Sequence, residues 1–171
     1  MNYDYRPQRQ NYTAHAIVVL LFLLSGLCFG FAGFFPLPGF LWQALGLAVL
    51  LPAIQLIARY MASRYLYRLH TYEDGHTDLE IFLYRGGDKM QLVCRTDLAQ
   101  ITAVAFLGAE NAAPPKRLKR YHYVQDLRPA QATVISISNE DGECEILFCP
   151  DEYMHRVLQE AVLKKDAAKD Q

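Results

Sequence analysis

Residues 16–58 read AIVVLLFLLSGLCFGFAGFFPLPGFLWQALGLAVLLPAIQLIA, and this stretch contains no Asp, Glu, Lys, Arg or His. A buried helix of a soluble domain is seldom apolar for more than about 14 residues, whereas one bilayer crossing needs about 20. The stretch therefore predicts membrane-spanning structure. It indicates where the chain resides much better than what the chain does.

The apolar stretch is long enough for two crossings. One helix over residues 16–58 would be about 65 Å long, roughly twice the thickness of the hydrocarbon layer. Pro36, Pro38 and Gly39 lie near its middle, and a proline removes a backbone donor and disfavours helix at the preceding residue. We therefore expect a membrane α-helical hairpin over residues 16–59, with transmembrane helices at 16–35 and 40–59.

Arginines flank the predicted hairpin on both sides, and the connecting turn has no charge. Lys and Arg near the ends of membrane helices stay in the cytoplasm. The expected location is therefore the inner (cytoplasmic) membrane, as a multi-pass protein with both termini cytoplasmic. The residues that set this topology are Arg6, Arg9, Arg59, Arg64 and Arg68.

A secretory signal peptide is the alternative interpretation of the first apolar segment. Signal peptides have an apolar core of about 7 to 15 residues followed by a mature soluble start. Here the run is longer and a second apolar segment follows at once, which favours the hairpin.

Small residues recur within both predicted helices. Gly26, Gly30 and Gly33 lie on the first and Gly46 on the second, and small residues let helix backbones approach closely in membranes. The expected contact is between the two helices, with self-association into a homo-oligomer as the alternative. Since the hairpin lacks ionisable groups, it is interpreted as an anchor for the chain in the lipid bilayer and not as an ion pathway.

An alternating apolar and polar pattern begins at Tyr65, and this period is typical of half-buried strands. Glycine-containing turns at 73–76, 85–88 and 139–142 punctuate it and favour hairpins. A helix with acidic residues in its first turn is expected from about residue 152. Its apolar residues recur at helical spacing, so one face should pack on the sheets; they are Met154, Val157, Leu158, Ala161 and Val162. The seven predicted strands lie at 65–72, 79–84, 90–94, 101–106, 121–124, 132–138 and 145–149.

Two short motifs in this region carry a family resemblance. Arg85-Gly86-Gly87 ends one strand, and Leu98-Ala99-Gln100-Ile101-Thr102-Ala103-Val104 follows the next. With the order of seven strands and one helix after two membrane helices, they resemble the bacterial membrane-anchored PH-like (pleckstrin-homology-like) domain proteins. The resemblance covers residues 16–165 and implies an α+β, mainly-β PH-like domain of about seven antiparallel strands with a C-terminal capping helix.

The expected domain organisation follows from these patterns. Residues 1–15 lack periodicity and are predicted to be a flexible cytoplasmic tail. The hairpin occupies 16–59, the PH-like cytoplasmic domain occupies 64–166, and a second tail occupies 167–171. The resemblance implies no active site, and many PH-like domains bind proteins instead of lipids.

One cluster of basic residues lies at the end of the long loop 108–118. Lys116, Arg117, Lys119 and Arg120 would contribute about 1 kcal/mol each near an anionic leaflet, so they are predicted contacts for anionic lipid headgroups. A solvated loop end is the alternative. The formal net charge is −1, which argues against a nucleic-acid partner.

The cysteines and histidines form no recognisable catalytic or metal-binding motif. Cys28, Cys94, Cys144 and Cys149 contain no CxxC pair, and in a reducing compartment such residues are buried hydrophobes. Four of the five histidines, His70, His76, His122 and His155, are scattered over different predicted elements. We therefore expect no enzyme activity, no cofactor and no metal.

These observations favour a membrane-anchored interaction or scaffold protein that displays a PH-like domain at the cytoplasmic face of the membrane and binds another protein. The alternative hypothesis is an accessory subunit of a transport or envelope-synthesis complex, in which the glycine face of the hairpin packs against larger membrane helices.

Overall fold

The computed structural model describes residues 2–31, 38–85, 89–106, 118–129, 131–139 and 142–169. The chain divides into two compact units, which are described separately. The sheet unit comprises Met1–Gln8, Arg64–Val124 and Pro129–Gln171. The hairpin unit comprises Arg9–Ser63 and Gln125–Arg128.

The hairpin unit contains two apolar helices, α1 (Thr13–Gly30) and α2 (Gly39–Leu56), and a π-helical turn (Ile57–Met61) extends α2. Both helices are long and apolar enough to cross a membrane, with mean hydropathies of 2.1 and 1.9. The prediction of two such helices is confirmed, although α1 begins at Thr13 and not at residue 16. In the predicted break, Pro38 directly precedes α2, which begins at Gly39, whereas Pro36 lies outside the described residues.

The two helices pack through Ser25 and Gly46. The Ser25 hydroxyl donates to the Gly46 carbonyl at 3.0 Å, and a Cβ at Gly46 would lie 2.9 Å from the Phe29 ring. A Cβ at Gly26 or Gly30 would meet nothing within 4 Å. The expectation that these two glycines pack against α2 is therefore not met, because they lie on a different side of α1 from Ser25. Gly33 lies outside the described residues.

The first residues of the chain form a strand, β1 (Asn2–Tyr5). It pairs antiparallel with β2 (Ser63–Thr71), with Tyr3 opposite Leu69 and Tyr5 opposite Tyr67. The prediction of a flexible tail over residues 1–15 is wrong for this segment. Tyr3 and Tyr5 alternate with polar neighbours and pack against the hydrophobic core, and that burial stabilises the strand.

The sheet unit contains two four-stranded sheets. The first has the order β1-β2-β3-β4 and the second has the order β5-β7-β8-β6. A 3₁₀ turn (Leu98–Gln100) joins β4 to β5. The remaining strands are β3 (Thr77–Arg85), β4 (Met90–Asp97), β5 (Ile101–Phe106), β6 (Lys119–His122), β7 (Thr133–Asn139) and β8 (Gly142–Phe148).

The pairing in the second sheet departs from the expected antiparallel arrangement. β7 pairs antiparallel with both β5 and β8, whereas β6 pairs with β8 in parallel. Since β7 already occupies one edge of β8, β6 pairs with the other edge, and the chain direction there makes it parallel. In the first sheet, a register shift between Ile81 and Phe82 marks a β-bulge in the pairing of β3 with β4.

The hydrophobic core combines side chains of both sheets with one face of helix α3 (Glu152–Lys169). Met154 and Leu158 of α3 are fully buried, as are Ile81, Ile135 and Phe148. Burying a side chain of this size contributes about 1.5 to 3 kcal/mol. The prediction of largely antiparallel strands followed by a C-terminal helix is confirmed, although the described residues form eight strands in two sheets where about seven were expected. The helix extends to Lys169, into the predicted tail.

One segment between β6 and β7 belongs to the hairpin unit and not to the predicted domain. The Gln10 amide donates to Asp126 Oδ2 at 2.8 Å, and Asn11 Nδ2 donates to the Arg128 carbonyl at 2.6 Å. Asp126 is buried. These bonds tie residues 125–128 to the arm that precedes α1.

Candidate functional site

The turn between β2 and β3 positions a cluster of titratable side chains. Gly75 has a φ of +85°, a conformation that glycine adopts without strain. The Tyr72 amide donates to the His76 carbonyl at 2.8 Å, and Asp74 Oδ1 accepts from the His76 amide at 3.0 Å. The turn therefore holds His76 at the start of β3.

His76 lies between two carboxylates. Its Nε2 is 2.9 Å from Asp78 Oδ1, and its Nδ1 is 3.5 Å from Asp97 Oδ2. Asp78 and Asp97 are opposite each other in the pairing of β3 with β4. One ligand atom from each of the three residues lies within 4.8 Å of the other two.

Arg95 completes the cluster on the other side of Asp78. Its Nε donates to Asp78 Oδ2 at 2.6 Å and lies 3.7 Å from Glu80 Oε1, and its Nη2 donates to the Tyr72 hydroxyl. Burial raises the pKa of Asp78, but the hydrogen bonds and charges of Arg95 and His76 outweigh it and bring the pKa below its usual range. Asp78 is therefore an ionised carboxylate.

The charges and hydrogen bonds of this cluster suit a structural role better than metal binding. His76, Asp78 and Asp97 are residue types that bind divalent metals, but both Asp78 oxygens already face a partner, His76 or Arg95. A metal ion there would have to replace the direct contact between His76 and Asp78 and lie close to the guanidinium charge of Arg95. The arrangement instead fixes the ends of β3 and β4 together.

A cleft of about 570 Å³ adjoins the turn and is lined by His70, Thr71, Tyr72, Glu73 and Asp74. The ring centroids of His70 and Tyr72 lie 4.2 Å apart in an edge-to-face arrangement. The cleft combines aromatic rings with exposed acids. From the sequence alone this turn is only a hairpin tip.

The structure assigns different surroundings to the two described members of the predicted lipid-binding cluster. Arg120 Nε donates to Glu145 Oε2 at 2.6 Å, and the Glu145 side chain is only 4% exposed. Lys119 Nζ lies 4.9 Å from the Tyr121 ring centroid, and hydrogen bonding to Tyr121 raises the pKa of Lys119. Arg120 thus neutralises a buried carboxylate on β8. Lys116 and Arg117 lie outside the described residues.

Two of the predicted topology-setting arginines belong to the hairpin unit. Arg9 Nη2 donates to the Tyr60 carbonyl at 2.8 Å and to the Met61 carbonyl at 3.5 Å, so it caps carbonyls at the end of the π-helical turn. Arg9 Nη1 also donates to His15 Nε2 at 3.0 Å. The Arg59 guanidinium lies 5.5 Å from the Tyr60 ring centroid.

The other three arginines belong to the sheet unit. Arg68 forms a bidentate pair with Asp4, at 2.6 and 2.8 Å, and this hydrogen bond lowers the pKa of Asp4. Arg6 lies 5.7 Å from the Tyr84 ring centroid, and Arg64 is exposed on β2. Arg68 therefore links β1 to β2 and has a structural role beyond the predicted one.

The cysteines have the surroundings expected of structural thiols. All four are free, with Cys28 and Cys149 buried and Cys94 and Cys144 partly buried. Burial raises the pKa of Cys94, which opposes formation of a reactive thiolate.

His155 of α3 is buried against the second sheet. Its Nδ1 lies 3.2 Å from Thr133 Oγ1, its ring centroid is 4.1 Å from that of Phe106, and its Nε2 is buried without a hydrogen-bond partner among the described residues. Burial lowers the pKa of His155. The neutral imidazole is therefore the form that the fold favours.

The charged cluster around Asp78 was missed by sequence reasoning. Thr77-Asp78 and Thr96-Asp97 show the same pair of letters at two strand ends, which is the one available signal. Recognising it requires the pairing register of β3 with β4.

No protein-family model, no curated protein and no solved structure matches this chain.

Proposed function

We propose that this protein is a membrane-anchored interaction or scaffold protein, in which two transmembrane helices hold a PH-like domain at the cytoplasmic face of the inner membrane. One observation carries the proposal, namely the exposure of the apolar helices. Only 22% of the apolar window of α1 and 11% of that of α2 is buried. The exposed side chains include Val19, Leu20, Leu23, Leu27, Leu41, Leu47, Leu51 and Ile54.

Exposure of this extent is unfavourable in water. A large apolar side chain left in contact with water forgoes about 1.5 to 3 kcal/mol of transfer free energy, and contiguous apolar patches on soluble proteins rarely exceed a few hundred Å². A lipid bilayer removes this penalty, and both helices already satisfy their backbone hydrogen bonds internally. A membrane is therefore the environment that fits the hairpin.

The PH-like assignment rests on coarse architecture. Two largely antiparallel sheets enclose a core that one C-terminal helix completes, in the order that the sequence resemblance implies. β1 and the parallel pairing of β6 are additions to that plan.

The interaction role is tested by purification of the intact protein in mild detergent with identification of the proteins that accompany it. The matched control replaces residues 64–171 by an unrelated soluble domain and keeps the hairpin. The proposal expects a partner that is retained by the full chain and lost by the replacement. If every accompanying protein is retained by the hairpin alone, the sheet unit has no scaffold role.

A second candidate, an accessory subunit of a transport or envelope-synthesis complex, is favoured by Gly26 and Gly30. A Cβ at either position would meet nothing within 4 Å, so this side of α1 is available to another membrane helix. Gly26→Leu and Gly30→Leu should then reduce the size of the complex in native electrophoresis, whereas Ala48→Leu, at an exposed position of α2, should not. An unchanged complex in all three variants would contradict this candidate.

A further inference from the structure

The outer face of the first sheet carries a group of apolar side chains that does not belong to the core. Phe82 is opposite Leu92 and Tyr84 is opposite Met90 in the pairing of β3 with β4. Ile81 and Leu83, which alternate with them along β3, are buried in the core, so the four side chains point away from it. Met90 is 50% exposed and Leu92 is 45% exposed. We refer to Phe82, Tyr84, Met90 and Leu92 as the outer patch.

Basic side chains surround the outer patch. The guanidinium of Arg68 lies 5.2 Å from the Phe82 ring centroid, and that of Arg6 lies 5.7 Å from the Tyr84 ring centroid. Arg85 and Lys89 are exposed where β3 ends and before β4 begins.

The charge around the outer patch is positive overall. Asp4 forms an ion pair with Arg68, and the Glu80 carboxylate also interacts electrostatically with Arg68. Among the described residues, Arg6, Arg85 and Lys89 have no carboxylate within ion-pair distance. One acid, Asp88, lies between Arg85 and Lys89 in the sequence, outside the described residues, and it leaves the cations in excess.

We propose that the outer patch binds the anionic surface of the bilayer that holds the hairpin, an inference that rests on the function proposed above. Met90 and Leu92 would enter the boundary between headgroups and acyl chains, and the three cations would meet lipid phosphates. Apolar side chains flanked by Lys and Arg are the composition of interfacial membrane-binding surfaces, and anionic lipids attract each such cation.

The short covalent link to the hairpin would strengthen the binding of the outer patch to lipid. The π-helical turn that extends α2 ends at Met61 and β2 begins at Ser63, so a single residue, Ala62, links that turn to the first sheet. A tether this short gives a high effective concentration of lipid for the outer patch, so that a modest affinity of the patch for lipid is sufficient for binding.

The size of the outer patch favours a membrane over a protein as its occupant. A stable protein–protein interface buries about 800 Å² on each side and involves about 20 to 30 residues a side. The outer patch offers four apolar side chains, two of them about half exposed. A membrane needs no matching surface of that area, and its negative charge is complementary to Arg6, Arg85 and Lys89.

The test uses the full chain with the photocrosslinking residue p-benzoylphenylalanine at position 92, reconstituted in nanodiscs of phosphatidylcholine with or without phosphatidylglycerol. The matched control carries the same residue at position 138, where Ser138 is exposed on β7 of the second sheet. The proposal expects lipid adducts at position 92 several-fold above those at position 138 and above those in neutral nanodiscs. Arg6→Gln with Lys89→Gln, or salt raised from about 0.1 M to about 1 M, should lower the yield several-fold.

Three outcomes overturn this proposal without touching the proposed membrane anchor. Equal lipid adducts at positions 92 and 138 would show no preference for the outer patch, and equal yields in neutral and anionic nanodiscs would remove the role of the cations. Adducts of position 92 to another protein or to a second copy would assign the outer patch to that partner. Failure of the chain to insert into nanodiscs would instead refute the proposed membrane anchor, and this inference with it.

Discussion

The Tyr3 hydroxyl donates a hydrogen bond to Asp151 Oδ2, and Asp151 Oδ1 in turn accepts from the Met154 amide at 3.0 Å in the first turn of α3. The strand at the start of the chain is thereby joined to the cap of the last helix. The rings of Tyr3 and Tyr153 lie 4.6 Å apart between centroids. A segment that sequence alone places in a tail therefore supports the helix that closes the core.

Tyr3→Phe is expected to destabilise the sheet unit. The substitution removes one hydrogen bond to a carboxylate and keeps the ring, so the free energy of unfolding should fall by about 1 to 2 kcal/mol. Urea denaturation of the full chain in mild detergent, followed by circular dichroism of the strands, measures it. Tyr12→Phe is the control because Tyr12 is 72% exposed, and equal stability of the two variants would argue against a role for Tyr3.

Alkaline pH should destabilise the fold through the same hydrogen bond. The bond to Asp151, with burial, raises the pKa of Tyr3 to about 12, and the phenol of an unfolded chain titrates near pH 10. The stabilisation is complete below about pH 10 and is lost as the pH rises towards about 12. Because burial also raises the pKa of Tyr123 to about 12, Tyr3→Phe should reduce the slope of stability against pH without abolishing it. An unchanged slope would contradict the prediction.

Acid should weaken the fold through His155. Burial lowers the pKa of this imidazole in the folded state, so the unfolded chain takes up the proton first as the pH falls below about 6.5. Stability should decline from that pH downwards. In His155→Gln the decline should be smaller than in the unsubstituted protein, measured as the urea midpoint at a series of pH values. Parallel curves for the two proteins would show that His155 does not contribute.

The Arg120–Glu145 pair is expected to stabilise the second sheet. Arg120→Gln leaves a buried carboxylate without its charged partner, at a cost of about 1.5 to 3 kcal/mol. The double variant Arg120→Gln with Glu145→Gln should recover part of that loss, and a double-mutant cycle gives the coupling energy. A coupling energy near zero would contradict a stabilising role for this pair.

Gly46 and Gly26 should respond differently to a larger side chain. Gly46→Ala places a Cβ 2.9 Å from the Phe29 ring, and overpacking of this kind costs about 1 to 3 kcal/mol. Gly26→Ala meets nothing within 4 Å and should leave the contact between α1 and α2 intact. Unfolding of the hairpin in increasing dodecyl sulfate compares them, and equal sensitivity of the two variants would contradict the packing described for Gly46.

The helices and strands whose apolar residues recur with a short period could be predicted from the sequence. The uncharged stretch at 16–58 predicts two apolar helices, and the alternation after Tyr65 predicts the strands that pack on the core. Met154 and Leu158 at helical spacing predict the buried face of α3. Each of these signals can be read from neighbouring residues. When one face of a helix or strand is buried, apolar residues recur in the sequence with the period of that element.

Features that depend on contacts between residues far apart in the sequence could not be predicted from it. β1 is four residues long, too short for its alternation to distinguish it from a tail, and its partner β2 begins at Ser63. The parallel pairing of β6 depends on which edge of β8 is available. The cluster of His76, Asp78 and Asp97 likewise requires the register of two strands, and the side of α1 that faces α2 depends on the packing of Ser25 and Phe29.

The central claim is that α1 and α2 cross the membrane as a hairpin and hold the sheet unit in the cytoplasm. Alkaline phosphatase, which is active only outside the cytoplasm, tests it most directly when it is fused after Gln171 in one fusion protein and inserted after Leu37 in a second. We expect an inactive enzyme at Gln171 and an active enzyme at Leu37. Activity at Gln171, or inactivity at both positions, would contradict the claim.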